Sequence, residues 1–354
     1  MIYRRSCSCL SFVTWLGAGE TEVTSRAESA GVQAYLVFDL ANGFQRVVDA
    51  GRAFFRLGWQ MLGYDLAERV EQALQERAYL GFDSSRAVAG GISALCNLHT
   101  IDESGRRRER AFVYSPRRFD TLVTNLERNP AFACLDINTW GQASDKGPPR
   151  LDEPSLAITW RRNTTKWALP LPDWVLLYVT SSYDHLFGSP QRQAAVVEFL
   201  RRVAAPANPA CGEVSLQAIN PFSAPLEFLL QRERSPRDSM ARSRHTVRSY
   251  SWVTIISEEI GHRLGGTDAL QGSGAFHRVE HLPGGGFLLQ ATELFEQYQH
   301  EQAYRVFRVL APALPAGVPR APMVYPPQPG LRMPDEPDWM IVQQDPSSVL
   351  NADG

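Results

Sequence analysis

Apolar and polar positions along the chain follow two periods in turn, the alternating period of strands and the longer period of helices. An apolar run rich in strand-forming residues, VQAYLVFDL at 32–40, predicts the first strand, which Asn42-Gly43 ends. Between residues 62 and 74, leucine and valine recur every four positions with charged residues between them, which predicts an amphipathic helix. Such a helix needs a sheet to cover its apolar face.

The same alternation continues along the chain. Strands at 90–101 and 110–114 are predicted to join through a charged tip, and Ser115-Pro116 predicts the start of a helix that Asn129-Pro130 ends. Further strands are predicted at 131–138, 156–161 and 174–180. A helix capped by Ser189-Pro190 follows them, and a last helix carries Ala303, Val306, Phe307 and Leu310 on one face.

The prolines at 170 and 172 mark the best boundary between two halves, because no regular element runs through both of them. They divide the chain into an N-terminal α+β half at 31–169 and a C-terminal α+β half at 170–314. Residues 1–30 are predicted to be a flexible leader. The proline-rich tail at 315–354 is predicted to be extended or disordered.

The order of elements predicts the fold class. Strands that alternate with helices and with hairpins favour an α+β fold, with a mixed, largely antiparallel sheet and helices packed mainly on one face. WVLLYVTSSYDHLFGS from Trp174 resembles WVTIISEEIGHRLGGT from Trp252, since each predicts a strand, a short helix and a glycine stop. Two similar βα-ββ-α halves would explain this likeness, and chance explains it as well.

Residues 250–292 contain several predicted elements in close succession, with almost no residues between them. A strand at 252–256 leads to Ser257, a helix cap followed by Glu258 and Glu259, and Gly265-Gly266 ends the helix. Strands at 276–282 and 287–291 follow, with a proline and three glycines turning the chain between them.

Composition and charge favour a globular protein and disfavour nucleic-acid and membrane partners. Hydrophobic residues make up 44% and charged residues 21% of the 354 residues, as in globular proteins. The net charge of −2 creates no field that would attract nucleic acid or an anionic membrane, and no apolar run approaches the length of a membrane-spanning helix. Arg106–Arg110 is therefore interpreted as a solvated turn rather than a phosphate site, and the basic stretch at 232–248 as a surface loop.

The five cysteines, at 7, 9, 96, 134 and 211, show no ligand spacing, so reduced thiols in the cytoplasm are predicted. Cys7 and Cys9 are too close for the usual metal knuckle. Arg4 and Arg5 before a broken apolar run indicate a ragged or misassigned start rather than an export signal.

His277, Glu280 and His281 match a zinc-peptidase pattern, H-x-x-E-H, which requires a helix. The alternating pattern and the glycine turn predict a strand instead. The histidines would then lie about 13 Å apart, at about 3.3 Å per residue, too far to share one zinc ion. No metal site is predicted here.

Two further pairs could carry acid–base chemistry. Glu258 and His262 lie one helical turn apart, and capping explains the glutamate without catalysis. Asp184 and His185 are adjacent and would not face each other on a helix. The chain has no nucleophile elbow, phosphate loop or dinucleotide fingerprint, so no catalytic residue and no cofactor are predicted.

The landmarks of the C-terminal half resemble a known family. Residues 250–254, Arg263-Leu264-Gly265-Gly266, Ala269-Leu270 and the LPGGG turn at 282–286 before LLQAT are similar to the bacterial type VI immunity-like proteins, best over 174–314. The resemblance implies a non-enzymatic cytoplasmic protein that binds and neutralises a cognate secreted toxin. The net charge, not the resemblance, is the reason that no nucleic-acid or membrane partner is predicted. The family supplies no binding residues to transfer to this chain.

Two other functions stay open at this point. One is a hydrolase or other enzyme using His277, Glu280 and His281, or Glu258 and His262. The other is a nucleic-acid-binding module that uses Arg106–Arg110 together with the basic stretch at 232–248.

Overall fold

The computed structural model describes residues 31–40, 43–101, 104–141, 155–162, 174–216, 226–227, 236–318 and 341–350. The predicted leader at 1–30 and the cysteines at 7 and 9 lie outside these residues, as does most of the proline-rich tail.

Ten strands are described, and they form one sheet in the order β3-β2-β4-β5-β6-β1-β7-β8-β10-β9. All described pairings are antiparallel. The strands are β1 Gly31–Asp39, β2 Ile92–Ile101, β3 Arg107–Val113, β4 Phe132–Thr139, β5 Leu156–Arg162, β6 Trp174–Ser182, β7 Cys211–Leu216, β8 Val253–Ile256, β9 Arg278–His281 and β10 Phe287–Gln290.

The helices within the described residues complete an α+β fold, as the order of elements predicted. They are α1 Phe44–Leu62, α2 Tyr64–Gln75, α3 Pro116–Thr124, α4 Tyr183–Phe187, α5 Pro190–Ala204, α6 Pro236–Ala241, α7 Glu258–Arg263, α8 Gly266–Gly272, α9 His300–Leu310 and α10 Pro346–Leu350. Ser115 and Ser189 cap α3 and α5 through their hydroxyls, each with a proline in the first turn, as the sequence indicates.

The main core lies between the sheet and the helices on one of its faces. Alternate residues of β1, Val32, Ala34, Leu36 and Phe38, are buried in this core together with residues of α1 and α5. Phe54 of α1 meets Phe199 of α5 with ring centroids 5.1 Å apart. The other face of β1 carries Tyr35 and Val37, which belong to a smaller cluster. One face of the sheet is therefore covered by helices and the other carries more polar side chains.

The two regions divided by the sequence analysis share this sheet. β1 lies between β6 and β7 and pairs with both along most of its length. Trp252 is fully buried, and its indole Nε1 donates to the carbonyl of Thr292 at 2.9 Å. Trp174 is only partly buried at the start of β6.

Several elements differ from the sequence-based prediction, and three of these differences affect charged segments or the sheet. β3 begins at Arg107 rather than 110, so Arg107 and Arg108 of the predicted tip lie on a strand and Arg106 precedes it. No strand was predicted for β7, where Gly212 and Glu213 interrupt the apolar pattern. The stretch at 232–248, predicted to be a loop, contains α6.

Part of the predicted tail lies against the core. Ile341 is buried, and the amide of Val342 donates to the Tyr250 hydroxyl at 2.8 Å. The Asp345 carboxylate accepts from the amide of Gly317 at 3.0 Å and is followed by α10. The prediction of an extended or disordered tail is therefore wrong for residues 341–350. No helix among the described residues is long and apolar enough to cross a membrane.

Candidate functional site

The stretch at 250–292 forms β8, α7, α8, β9 and β10 at one end of the sheet. The Ser257 hydroxyl accepts from the amide of Ile260 at 3.4 Å and caps α7, and Glu258 and Glu259 occupy the first turn. Gly265 begins the turn into α8 with a φ of 92°, a left-handed conformation that favours glycine. The predicted cap and glycine stop are both confirmed.

The strand predicted for the H-x-x-E-H segment is confirmed as well. β9 includes Glu280 and His281 and pairs with β10, with His281 opposite Phe287. Glu280 forms ion pairs with Arg278 and with Arg201, the latter at 3.4 Å. Its carboxylate therefore links β9 to α5. No group of three His, Cys, Asp or Glu side chains in the described part of the chain could hold a metal ion.

His281 instead approaches a histidine from another element. The Oε1 atom of Glu258 lies 3.5 Å from Nε2 of His262 and 3.7 Å from Nε2 of His281. The two imidazole centroids are 6.2 Å apart, and the Phe287 ring contacts both of them. We call Glu258, His262 and His281 the His–Glu cluster. Sequence reasoning paired Glu258 with His262 but missed His281, because only the pairing of β9 with β10 brings that residue beside α7.

The three side chains of the His–Glu cluster are exposed to solvent. The side chains of Glu258, His262 and His281 are 42%, 64% and 45% exposed. Their N–O separations exceed those of good hydrogen bonds, so neither imidazole is held tightly by the carboxylate. The cluster thus presents one carboxylate and two imidazoles that a binding partner can engage.

Gly261 determines how closely α7 sits on the sheet. A Cβ atom at this position would overlap the Phe287 ring, which lies under both histidines. We expect Gly261→Ala to lower the free energy of unfolding by about 1–3 kcal/mol, because overpacking a well-packed site forces neighbours to move. Urea unfolding measures this.

Gly272→Ala is the matched control for that substitution. Gly272 ends α8, and nothing lies within 4 Å of the Cβ atom it would gain. This variant should match the original stability or exceed it, since alanine favours helix more than glycine does. Equal losses in the two variants would contradict the close approach of α7 to Phe287.

An ionic network anchors the other side of α7. The Arg244 guanidinium pairs with Asp39 of β1 and, at 3.1 Å, with Glu259. Asn208 accepts from the amide of Glu258 at 3.0 Å and donates to Glu259 at 3.3 Å. Since Arg244 is only 14% exposed, its charge stabilises this junction and does not form an open basic patch.

Asp184 and His185, the other pair considered for acid–base chemistry, make contacts within the fold. His185 is buried, and its Nε2 contacts the carbonyl of Leu62 at 2.7 Å. Burial lowers the pKa of His185, which favours the neutral ring. The carbonyl of Asp184 accepts from the Arg192 guanidinium at 2.8 Å.

The two basic segments of the nucleic-acid hypothesis lie in different parts of the sheet. Arg107, Arg108 and Arg110 are on β3, the first strand in the sheet order. Arg248 is buried and pairs with Glu227, and Arg244 binds residues of β1 and α7. The described residues of the two segments therefore do not form one surface.

A second cluster of charges is buried beside β1 and β7, and sequence reasoning missed it. The Arg248 guanidinium donates two hydrogen bonds to Glu227, Nε to Oε1 at 3.1 Å and Nη2 to Oε2 at 3.0 Å. Nε also donates to Ser239 at 3.1 Å, and the guanidinium lies 5.8 Å from the centre of the Tyr35 ring.

Glu213 of β7 adds a second carboxyl to this buried cluster. Burial raises its pKa to about 7, although the Arg248 charge and hydrogen bonds from Ser215 and Ser249 act in the opposite direction. Its Oε2 atom is buried and accepts no hydrogen bond from any described residue. One guanidinium therefore faces two carboxyls, and protonation of Glu213 removes the excess negative charge.

Comparisons with known proteins give only distant likeness to solved structures. No family model matches the chain, and no curated protein matches it. Among solved structures, a T6SS protein of Pseudomonas aeruginosa is similar at a TM-score of 0.42 and 12% identity, over 90% of this chain and 81% of that one. These comparisons do not place the chain in the immunity family, and a match this distant does not establish a common function.

Proposed function

We propose that the protein is a non-enzymatic immunity-type protein that acts in the cytoplasm, where it binds and neutralises a cognate secreted bacterial toxin through the surface around the His–Glu cluster. The observation that carries the proposal is the exposed cluster itself, on the same stretch whose landmarks resemble type VI immunity-like proteins. Neutralisation of this kind requires a complementary surface of roughly 800 Å² on each partner and no reactive group.

The support beneath the cluster suits such a surface. Glu258 and His262 are on a capped helix, and His281 is on a strand that pairs along its length with β10. The Phe287 ring packs against His281, and Asn208 and Arg244 bind the first turn of α7. Charged groups held in place before binding contribute to specificity and to the association rate more than flexible ones do.

The test is protection of living cells. We expect that a toxin encoded beside this chain's own gene, expressed in a bacterial host, stops growth, and that co-expression of this protein restores it. The purified proteins should form a stable complex by size-exclusion chromatography. A neighbouring protein that is not toxic, or a toxin whose effect this chain leaves unchanged, would contradict the proposal.

Glu258→Lys tests the location of the surface. We expect it to weaken the complex by at least about tenfold, since a reversed charge inside an interface meets the wrong potential. Isothermal titration calorimetry measures the change in Kd. Glu301→Lys on α9 is the matched control, because Glu301 is 82% exposed and lies outside the cluster. Equal affinities for the two variants would exclude the His–Glu cluster from the interface.

A further inference from the structure

β3 is an edge strand of the sheet, and no other described strand pairs with its outer side. It pairs with β2 from Arg107 opposite Ile101 to Val113 opposite Leu95, and it stands first in the sheet order. Five of its seven residues, from Arg107 to Ala111, are exposed. An exposed edge of this length is a template for another strand.

The hydrogen bonds at the end of β3 show which backbone groups point outward. The amide of Tyr114 donates to the carbonyl of Ala94 on the β2 side at 2.8 Å. The carbonyl of Val113 accepts instead from the Arg118 guanidinium at 3.1 Å, on the outer side. Because backbone groups alternate along a strand, the amides and carbonyls of Ala111, Glu109 and Arg107 also point away from β2.

The charge of the strand selects its partner. Arg107, Arg108 and Arg110 outweigh Glu109, and Arg117 and Arg118 follow at the start of α3. By alternation, the Arg107 side chain lies on one face of the sheet and the Arg108 and Arg110 side chains on the other. Cross-strand pairs of opposite charge stabilise a sheet, and like charges destabilise it. A second copy of β3 would set arginines against arginines, which disfavours self-pairing.

We propose that the outer edge of β3 is a docking site for an acidic, extended peptide segment of a protein partner, which adds to the sheet as an antiparallel or parallel strand. The outward row supplies both donors and acceptors, and a peptide strand pairs with both, whereas a DNA backbone supplies acceptors only. This site lies at the opposite end of the sheet from the His–Glu cluster and does not depend on the proposed toxin interface.

The probe is a short fluorescent peptide in which glutamate and valine alternate. We expect it to bind the full chain in a fluorescence anisotropy titration, and more weakly as salt increases. The same peptide with a central proline should bind at least about tenfold more weakly, because proline interrupts the hydrogen-bond ladder. On binding of the first peptide, hydrogen exchange should slow at the outward amides of Glu109 and Ala111.

Ala111→Pro tests the backbone contribution directly. Its ring removes one outward amide and leaves the hydrogen bonds to β2 in place, which edge strands tolerate. We expect about tenfold weaker binding of the acidic peptide, and Ala111→Ser, which keeps the amide, should bind like the original protein. Glu258→Lys should not affect this binding, so failure at β3 is distinguishable from failure of the toxin interface.

Four results of the peptide experiments would overturn the proposal. The first is that the alternating peptide does not bind, and the second is that the proline-interrupted peptide binds as tightly as the alternating one. The third is that hydrogen exchange at Glu109 and Ala111 does not change when the peptide binds. The fourth is that a thymidine oligonucleotide displaces the peptide and binds Ala111→Pro as tightly as the original protein. The first three use the unaltered protein and hold even if Ala111→Pro fails to fold. Self-association through β3 in sedimentation experiments would overturn it too, because it would assign the edge to a second copy.

Discussion

Replacing Arg248 with methionine is expected to lower the free energy of unfolding by about 3–5 kcal/mol, the largest loss from one substitution that we predict. The Arg248 and Glu227 side chains are only 2% and 4% exposed, and their two hydrogen bonds join them end to end. Methionine fills much of the same space and carries no charge. The Glu227 carboxylate is then left buried without its guanidinium, and Glu213 loses the positive charge that favours its ionised form. Urea unfolding at neutral pH measures the loss.

The double variant Arg248→Met, Glu227→Leu separates the effect of a buried carboxylate that lacks the Arg248 guanidinium from the effect of lost packing. Removing both charges should restore a large part of the stability, because a buried ion pair often contributes little more than apolar residues of similar size. Arg248→Lys should fall between, since an ammonium cannot make the two parallel hydrogen bonds. A double variant as unstable as the single one would show that shape, and not charge, governs this site.

The sequence predicts most of the fold because the elements that build the main core carry clear periods. α3 and α5 begin where a serine precedes a proline, and β1 lies on the first apolar run. β7 was missed because Glu213 stands at its centre, and a buried carboxyl breaks the apolar pattern that identifies a strand. Its strand conformation depends on β1 and β8, which flank it in the sheet.

The candidate sites were predictable only where one element contains all the residues. Glu258 and His262 share α7, so their spacing was readable, whereas His281 joins them through the pairing of β9 with β10. Arg248 appeared to belong to a solvated basic stretch, and only its contact with Glu227 shows that it is buried. A sequence gives the charge of a residue directly, but the partner that neutralises it comes from tertiary structure.

Raising the pH from about 4.5 to about 7 is expected to destabilise the protein through Glu213. Its pKa is about 7 in the folded protein and ordinarily 4.5, so the folded state holds a proton that the unfolded state has already released. Between these two values the unfolded state binds fewer protons, and the free energy of unfolding falls as pH rises, by about 3 kcal/mol in all. The contribution is fully present below about pH 4.5 and is lost above about pH 7.

Glu213→Gln isolates this effect from the other titrating groups. Burial lowers the pKa of His99 and His185, which raises stability with pH near neutrality and opposes the Glu213 effect in the total curve. Both proteins share those histidines, so the difference between their urea-unfolding free energies removes them. Near pH 4.5 the variant should be about as stable as the original protein, and at pH 8 more stable by about 3 kcal/mol, since glutamine stays neutral where the buried carboxylate must ionise. Parallel stability curves from pH 4.5 to 8 would mean that Glu213 ionises in the fold as readily as in the unfolded chain, and that the buried cluster tolerates a second negative charge beside Arg248 and Glu227.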